Sequence, residues 1–275
     1  MLGQRIITAL VLLIVLGLSL AAAVPIWFQL LVAAFISIAA WEWFRLLGAS
    51  SAWSGAGALL VSGLGFSIYW SSSPAIEPWL FGAACLGWLI AALPALRDPE
   101  WLKRGRMLQA VMPVLMLSAC LSSAFAILSK LGPLGLVSLL AIVWLADVGA
   151  YFAGRALGRR KLAPSISPNK TIEGAMGGLA AVALYVFVVS TIPAGKGLFP
   201  AALSEAWGLA GALLALLILA GLSITGDLFE SLLKRRAGVK DSSRLLPGHG
   251  GVFDRIDALV PVLPVAGLLL IYVIK

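Results

Sequence analysis

Apolar runs of about 20 residues, broken by short polar stretches, recur from one end of the chain to the other. Nine such runs can be cut, at roughly 6–24, 26–45, 54–71, 79–96, 108–128, 133–153, 172–192, 205–225 and 256–274. Each can carry a helix across a hydrocarbon layer ~30 Å thick at ~1.5 Å per residue. Pro25 and the Gly132-Pro133 pair supply turn signals between adjoining runs. The pattern predicts an all-α, polytopic integral membrane protein with about nine transmembrane helices. Arg5 followed by Ile6 to Val24 resembles a signal peptide, with small residues at Ala21 to Ala23. That run is longer than a usual signal core and further spans follow, so an uncleaved first span is predicted.

The polar positions then orient the chain. With the N-terminus cytoplasmic, that side receives Arg5, Arg45, Arg97, Lys103, Arg104 and Arg106. It also receives Arg155, Arg159, Arg160, Lys161, Lys170, Lys234, Arg235, Arg236, Lys240, Arg244 and Arg255. The opposite side receives Lys130, Lys196 and Lys275, a split of seventeen to three. Cytoplasmic loops carry such a Lys/Arg excess, and a miscounted span would scramble it. Of the 275 residues 61% are hydrophobic and 12% charged, with a mean hydropathy of +1.03. A soluble domain has about twice that charged share, so a separate soluble domain is excluded. The net charge of +8 suits anionic lipid headgroups and does not require nucleic acid. Cys85 and Cys120 both sit in apolar runs, as small core residues do.

Two regions follow. Residues 1–130 carry hydropathy without a motif; residues 131–275 carry the unusual polar residues, in loops near 154–171 and 226–255. Asp147, Tyr151 and Arg155 lie four apart near a span end, on one helix face, where an Asp147–Arg155 relay could seat the helix. Gly149, Gly154 and Gly158 would let a neighbouring helix approach closely. In "KLAPSISPNKTIEG", Pro164 and Pro168 exclude helix, and Asn169, Lys170 and Thr171 lead into the seventh span. A capped helix start beside a lysine is also an anion site. Asp227, Ser231 and Lys234 share a face if the eighth helix continues, with Glu230 flanking it and Arg236 turned to the surface. In "LLPGHGGVFDRIDAL" the glycines make a tight turn around His249, and Asp254 and Asp257 open the last span.

Hard carboxylates without a second histidine suit Mg²⁺ and not zinc, and the Lys and Arg side chains suit phosphate oxygens. No Ser/His/Asp or Cys/His set stands in the right context. The residues point to metal-assisted phosphoryl or nucleotidyl transfer at a membrane surface, with an anion transporter as the competing class.

The segment Ser231, Lys234-Arg235, Lys240-Asp241, Ser243, Leu246-Pro247, His249-Gly250-Gly251 and Asp254-Arg255-Ile256-Asp257 resembles the phosphatidate cytidylyltransferase family, the CDP-diacylglycerol synthases, at every spacing. "GAYFAGRALGRRKLAPSISPNKTIEG" upstream is also similar; Val148 departs from the small or polar residue expected after Asp147. The resemblance implies that CTP and phosphatidate give CDP-diacylglycerol and pyrophosphate, with Mg²⁺ and room for a second cation. It implies Asp227 and Asp254 as metal-binding acids, and these two with Lys234 as the catalytic set. Asn169, Lys170, Ser231, Arg235, Lys240, His249 and Arg255 are the implied substrate-binding residues. The partners would be CTP, phosphatidate, anionic membrane lipids and, in a homodimer, a second copy; no nucleic acid is expected. The location would be a bacterial inner membrane with the site facing the cytoplasm. A related CTP-dependent polyprenyl or phytyl alcohol kinase is the alternative within the same chemistry.

Overall fold

The structure, a computed structural model, describes residues 2–21, 26–71, 76–98, 100–101 and 105–273. The expected turn at Pro25, and Lys103, Arg104 and Lys275 of the charge count, lie outside these residues. Apolar runs become helices: α1 (Leu2–Ala21), α2 (Ile26–Leu46), α3 (Ser51–Trp70), α4 (Ile76–Gly87) and α5 (Leu93–Arg97), the last two joined by a π turn over Trp88–Ala92. After them come α6 (Arg106–Leu157), α7 (Ile172–Thr191), α8 (Phe199–Arg236), α9 (Phe253–Ile256) and α10 (Leu259–Val273). Among the described residues six helices are long and apolar enough to cross a membrane, and Leu10–Ser19 and Leu259–Val273 are shorter apolar helices.

The 52 residues of α6 would span about 78 Å if straight, more than twice the hydrocarbon thickness. The element bends between the two runs predicted within it. Gly132 takes φ 69° and ψ −176°, a conformation suited to glycine, and Pro133 offers no N–H to continue the ladder. The turn expected at Gly132-Pro133 is therefore a sharp break inside one long element. In the same way α8 breaks at Gly208, with φ 71°. It then runs past the predicted end at 225 to Arg236, so Asp227, Glu230, Ser231 and Lys234 all sit on continuous helix.

One departure from the all-helical expectation is a small hairpin, β1 (Lys161–Ala163) and β2 (Ser167–Thr171), paired as Lys161↔Thr171 and Ala163↔Ser167. Pro164 and Pro168 bar helix here, and the pairing satisfies backbone groups that a membrane edge leaves exposed. Thr171 caps α7 by accepting from Gly174 N–H at 3.1 Å. Glu173 accepts instead from the Arg159 and Arg160 N–H groups, at 3.0 and 3.1 Å, and so ties the segment after α6 to the first turn of α7.

Helices α2, α3, α7, α8 and α10 all pack on α6. In a bilayer such contacts depend on close van der Waals fit, because lipid is as apolar as the helix surface. The α6–α7 seam shows this: a Cβ added to Gly149 would lie 2.8 Å from Ala181 Cβ and 2.9 Å from the Gly177 carbonyl. Cys120 is fully buried and Cys85 half-buried, both free thiols in the packed interior. One cluster of buried residues extends from Phe28 in α2 to Leu270 in α10.

Candidate active site

Three features converge at one end of α8. The first is the helix face itself. Ser231 Oγ lies 3.4 Å from Asp227 Oδ1. One turn on, Lys234 Nζ bridges Glu230 Oε2 and Asp254 Oδ1, each at 2.5 Å. Glu230 is only 1% exposed, and among the described residues its Oε1 has no hydrogen-bond partner. A buried, unbalanced carboxylate oxygen of this kind is costly and suits a cationic neighbour.

The second feature is the loop from Ala237 to Val252. Gly248 and Gly250, at φ 76° and 83°, let it fold back so that Leu246 N–H donates to the Gly250 carbonyl at 2.8 Å. The loop closes on Asp254. Its Oδ2 accepts from Gly251 N–H at 2.8 Å and from both Ser242 N–H and Ser242 Oγ at 2.9 Å, while Oδ1 takes Lys234. Burial pulls the Asp254 pKa upward, but the Lys234 and Gly251 hydrogen bonds outweigh it and hold the carboxyl at about 2. Asp254 is thus an ionised, fully engaged carboxylate.

The third feature is the hairpin. Lys170, on β2, pairs with Asp227 Oδ2 at 2.6 Å. Together with Asp147, Tyr151, Arg155 and Asn169 they line a polar cleft of about 570 Å³ between α6, α7 and α8. Asp257, just after α9, lies against α8 beside the cleft: a Cβ added to Gly226, next to Asp227, would meet the Asp257 carbonyl.

The sequence-predicted residues are therefore divided. Asp227, Lys170 and Asn169 face the cleft, while Lys234 and Asp254 form the pair beneath the loop. Arg235 reaches the Ile166 carbonyl at 3.5 Å, and Lys240 is exposed on the loop. His249 and Arg255 line a different, apolar groove. The expected Asp147–Arg155 relay is replaced: Arg155 Nη1 donates to Tyr151 Oη at 3.2 Å. Nor is Arg236 simply turned to the surface. It is half-buried at the end of α8, with Nη1 enclosed.

A residue that the motifs did not flag holds the loop in place. Glu42 on α2 is 0% exposed. It accepts from Ser243 Oγ at 2.5 Å, Phe253 N–H at 2.6 Å and Val252 N–H at 3.1 Å, and at 3.0 Å shares with Asp254 the single hydroxyl proton of Ser242. Its neighbour Trp43 stacks on Phe253, with ring centroids 5.0 Å apart. A carboxylate inside the apolar run "AAWEWF" was the available signal, since an intramembrane acid marks function by default.

As a cation site, the donor set is hard carboxylate oxygen throughout, which suits Mg²⁺. Glu230 and Asp254 share the Lys234 ammonium, and the second, buried Glu230 oxygen is left open to a further cationic contact. Among the described residues no three His, Cys, Asp or Glu side chains are arranged around a single metal position. Asp227 and Asp254 each close on their own lysine. Two carboxylates still fit Mg²⁺, which keeps several waters and takes substrate phosphate oxygens as further ligands.

Comparison with known proteins adds to this geometry. A family model described as the Cytidylyltransferase family matches residues 3–273. A Pseudomonas aeruginosa protein named phosphatidate cytidylyltransferase is 40% identical over 279 aligned residues, 98% of this chain and 97% of that protein. One of the same name from Brucella suis is 44% identical over 178 residues, 64% of this chain and 61% of that protein. Another, from Staphylococcus aureus, is 48% identical over 130 residues, 47% of this chain and 46% of that protein.

Proposed function

The chain belongs to the cytidylyltransferase family, and from that footing we propose that it joins CMP from CTP to phosphatidate, giving CDP-diacylglycerol and pyrophosphate. The observation that carries the reading is the double pairing Lys170–Asp227 and Lys234–Asp254, set beside a polar cleft at the ends of apolar helices. Anion-binding lysines held against carboxylates suit a reaction between two phosphates, in which positioning and charge neutralisation supply most of the rate.

In the proposed step, an oxygen of the lipid phosphate attacks the α-phosphorus of CTP. The new P–O bond forms as the bond from the α-phosphorus to the bridging oxygen breaks, and that oxygen leaves on pyrophosphate. The nucleophile is already anionic, so no side chain need remove a proton. Lys170 and Asn169, in the cleft, would hold the nucleotide phosphates. Lys234 would exchange part of its contact with Asp254 and Glu230 for a phosphate oxygen. Asp227 and Asp254 would hold Mg²⁺, which when bound supplies charge neutralisation on the reacting phosphates.

Nine crossings with a cytoplasmic N-terminus would put Lys170, Asp227 and Asp254 on the basic, cytoplasmic face; the seventeen-to-three split of Lys and Arg supports this. CTP would then arrive from the cytoplasm at a bacterial inner membrane. Purified protein in detergent with CTP, Mg²⁺ and phosphatidate should form a CMP-bearing lipid and pyrophosphate in equal amounts. A lipid product without CMP, or CTP consumption without lipid product, would sink the reading.

A further inference from the structure

A second cavity has a lining that shares no residue with the cleft. It is a groove of about 490 Å³ between α1, α2, α6 and α10, and its walls are almost wholly apolar, with Leu16, Phe35, Leu140 and Leu259 among them. Two polar side chains, His249 and Arg255, line it. Arg255 follows Asp254 on α9; one residue along a helix turns about 100°, so Asp254 serves Lys234 and the loop while Arg255 serves the groove. His249 Nδ1 is buried and, among the described residues, has no hydrogen-bond partner. A buried imidazole nitrogen and an arginine bordering an apolar trough form an apolar site with an anion-binding cap.

We propose that this groove binds the lipid substrate, with its acyl chains along α1, α2 and α10 and its phosphate on Arg255 and His249, while the polar cleft takes the nucleotide. The proposal rests on the cytidylyltransferase reading and adds to it a division of substrates between two cavities. Charge complementarity selects an anionic diacyl lipid: the walls match hydrocarbon and the only charged side chain among the lining residues is a cation. The geometry also lets the two substrates meet. Trp144 lines the groove and Asp147 lines the cleft. These positions are three residues apart on α6, about 4.5 Å along the axis and within one turn. The groove and the cleft therefore adjoin along this turn of α6.

The test compares phosphatidates with dioleoyl and dihexanoyl chains in mixed micelles. Leu16→Trp and Leu259→Trp, which fill the groove, should raise KM for the dioleoyl lipid about tenfold and leave KM for the dihexanoyl lipid and for CTP unchanged. Arg255→Gln should raise KM for both lipids and not for CTP. Equal dioleoyl KM values in the tryptophan variants and wild type, or a parallel rise in KM for CTP, would overturn the proposal. Should the variants not fold, a phosphatidate with a photoreactive group at the chain end gives a separate answer on wild-type protein. Crosslinks to α1, α2, α10 or the Cys120–Trp144 stretch of α6 support the groove, and crosslinks confined to other parts of the chain refute it. Crosslinking is read without turnover, so loss of the cytidylyl reading and loss of the groove would be seen separately.

Discussion

Glu42 should control the order of the loop that closes on Asp254, although it lies about 200 residues away in sequence. Glu42→Ala removes the acceptor of four hydrogen bonds, two of them from the backbone N–H groups of Val252 and Phe253, which are buried. A buried donor left unpaired costs about 1–3 kcal/mol, so those two amides alone set a local loss of about 2–6 kcal/mol. Water entering the space left by the side chain would bring the loss toward the lower end. Opening of the loop should then become about 30-fold more frequent or greater, at 1.4 kcal/mol per factor of ten. Hydrogen exchange of residues 251–253 in detergent reads this directly. Glu42→Gln keeps the shape and one acceptor oxygen and should fall between wild type and alanine. Turnover should follow the same order, because Gly251 N–H and Ser242 are also the groups that hold Asp254. Unchanged exchange at 251–253 together with turnover within about twofold of wild type would refute the clamp, since that limit corresponds to under ~0.5 kcal/mol.

Four further outcomes are expected. Asp254→Asn preserves shape but removes the charge opposite Lys234, and turnover should fall by about a thousandfold, the loss typical of a preorganised charged group; gel filtration in detergent should still give a single species. Lys170→Ala should raise KM for CTP about tenfold and leave KM for phosphatidate unchanged, as measured by initial rates at saturating partner. Gly149→Val should force α6 and α7 apart and cost about 1–3 kcal/mol, read as a lower midpoint of thermal unfolding in detergent. Arg236→Ala should lower that midpoint through lost packing of its stem while leaving KM for both substrates in place.

What the sequence revealed follows from where its signals are local. Period and length marked the helices because every backbone group in lipid must bond within its own helix. The positions of Asp227, Ser231 and Lys234 were legible because a helix fixes which residues share a face. The hairpin at 161–171 was visible only as a non-helical segment, since two prolines forbid helix without specifying what replaces it. Glu42 was missed because its role depends on a contact with Ser242, Ser243, Val252 and Phe253 that no local pattern encodes. The separation of His249 and Arg255 from Lys170 and Asn169 was hidden for the same reason: all four look alike as phosphate donors until the helices are packed. Arg236 was read as a surface charge on an extended helix, and its half-buried position depends on tertiary packing that helix spacing does not encode.

The central claim is cytidylyl transfer to a lipid phosphate, and the fate of two labels in CTP tests it most directly. Purified protein reconstituted in vesicles containing phosphatidate would be given CTP labelled at the α-phosphorus in one reaction and at the γ-phosphorus in another. The account predicts that the α label enters the lipid fraction and the γ label leaves as pyrophosphate. A γ label in the lipid would mean a kinase, and label carried into the vesicle lumen without a lipid product would mean a transporter; either result would contradict the account.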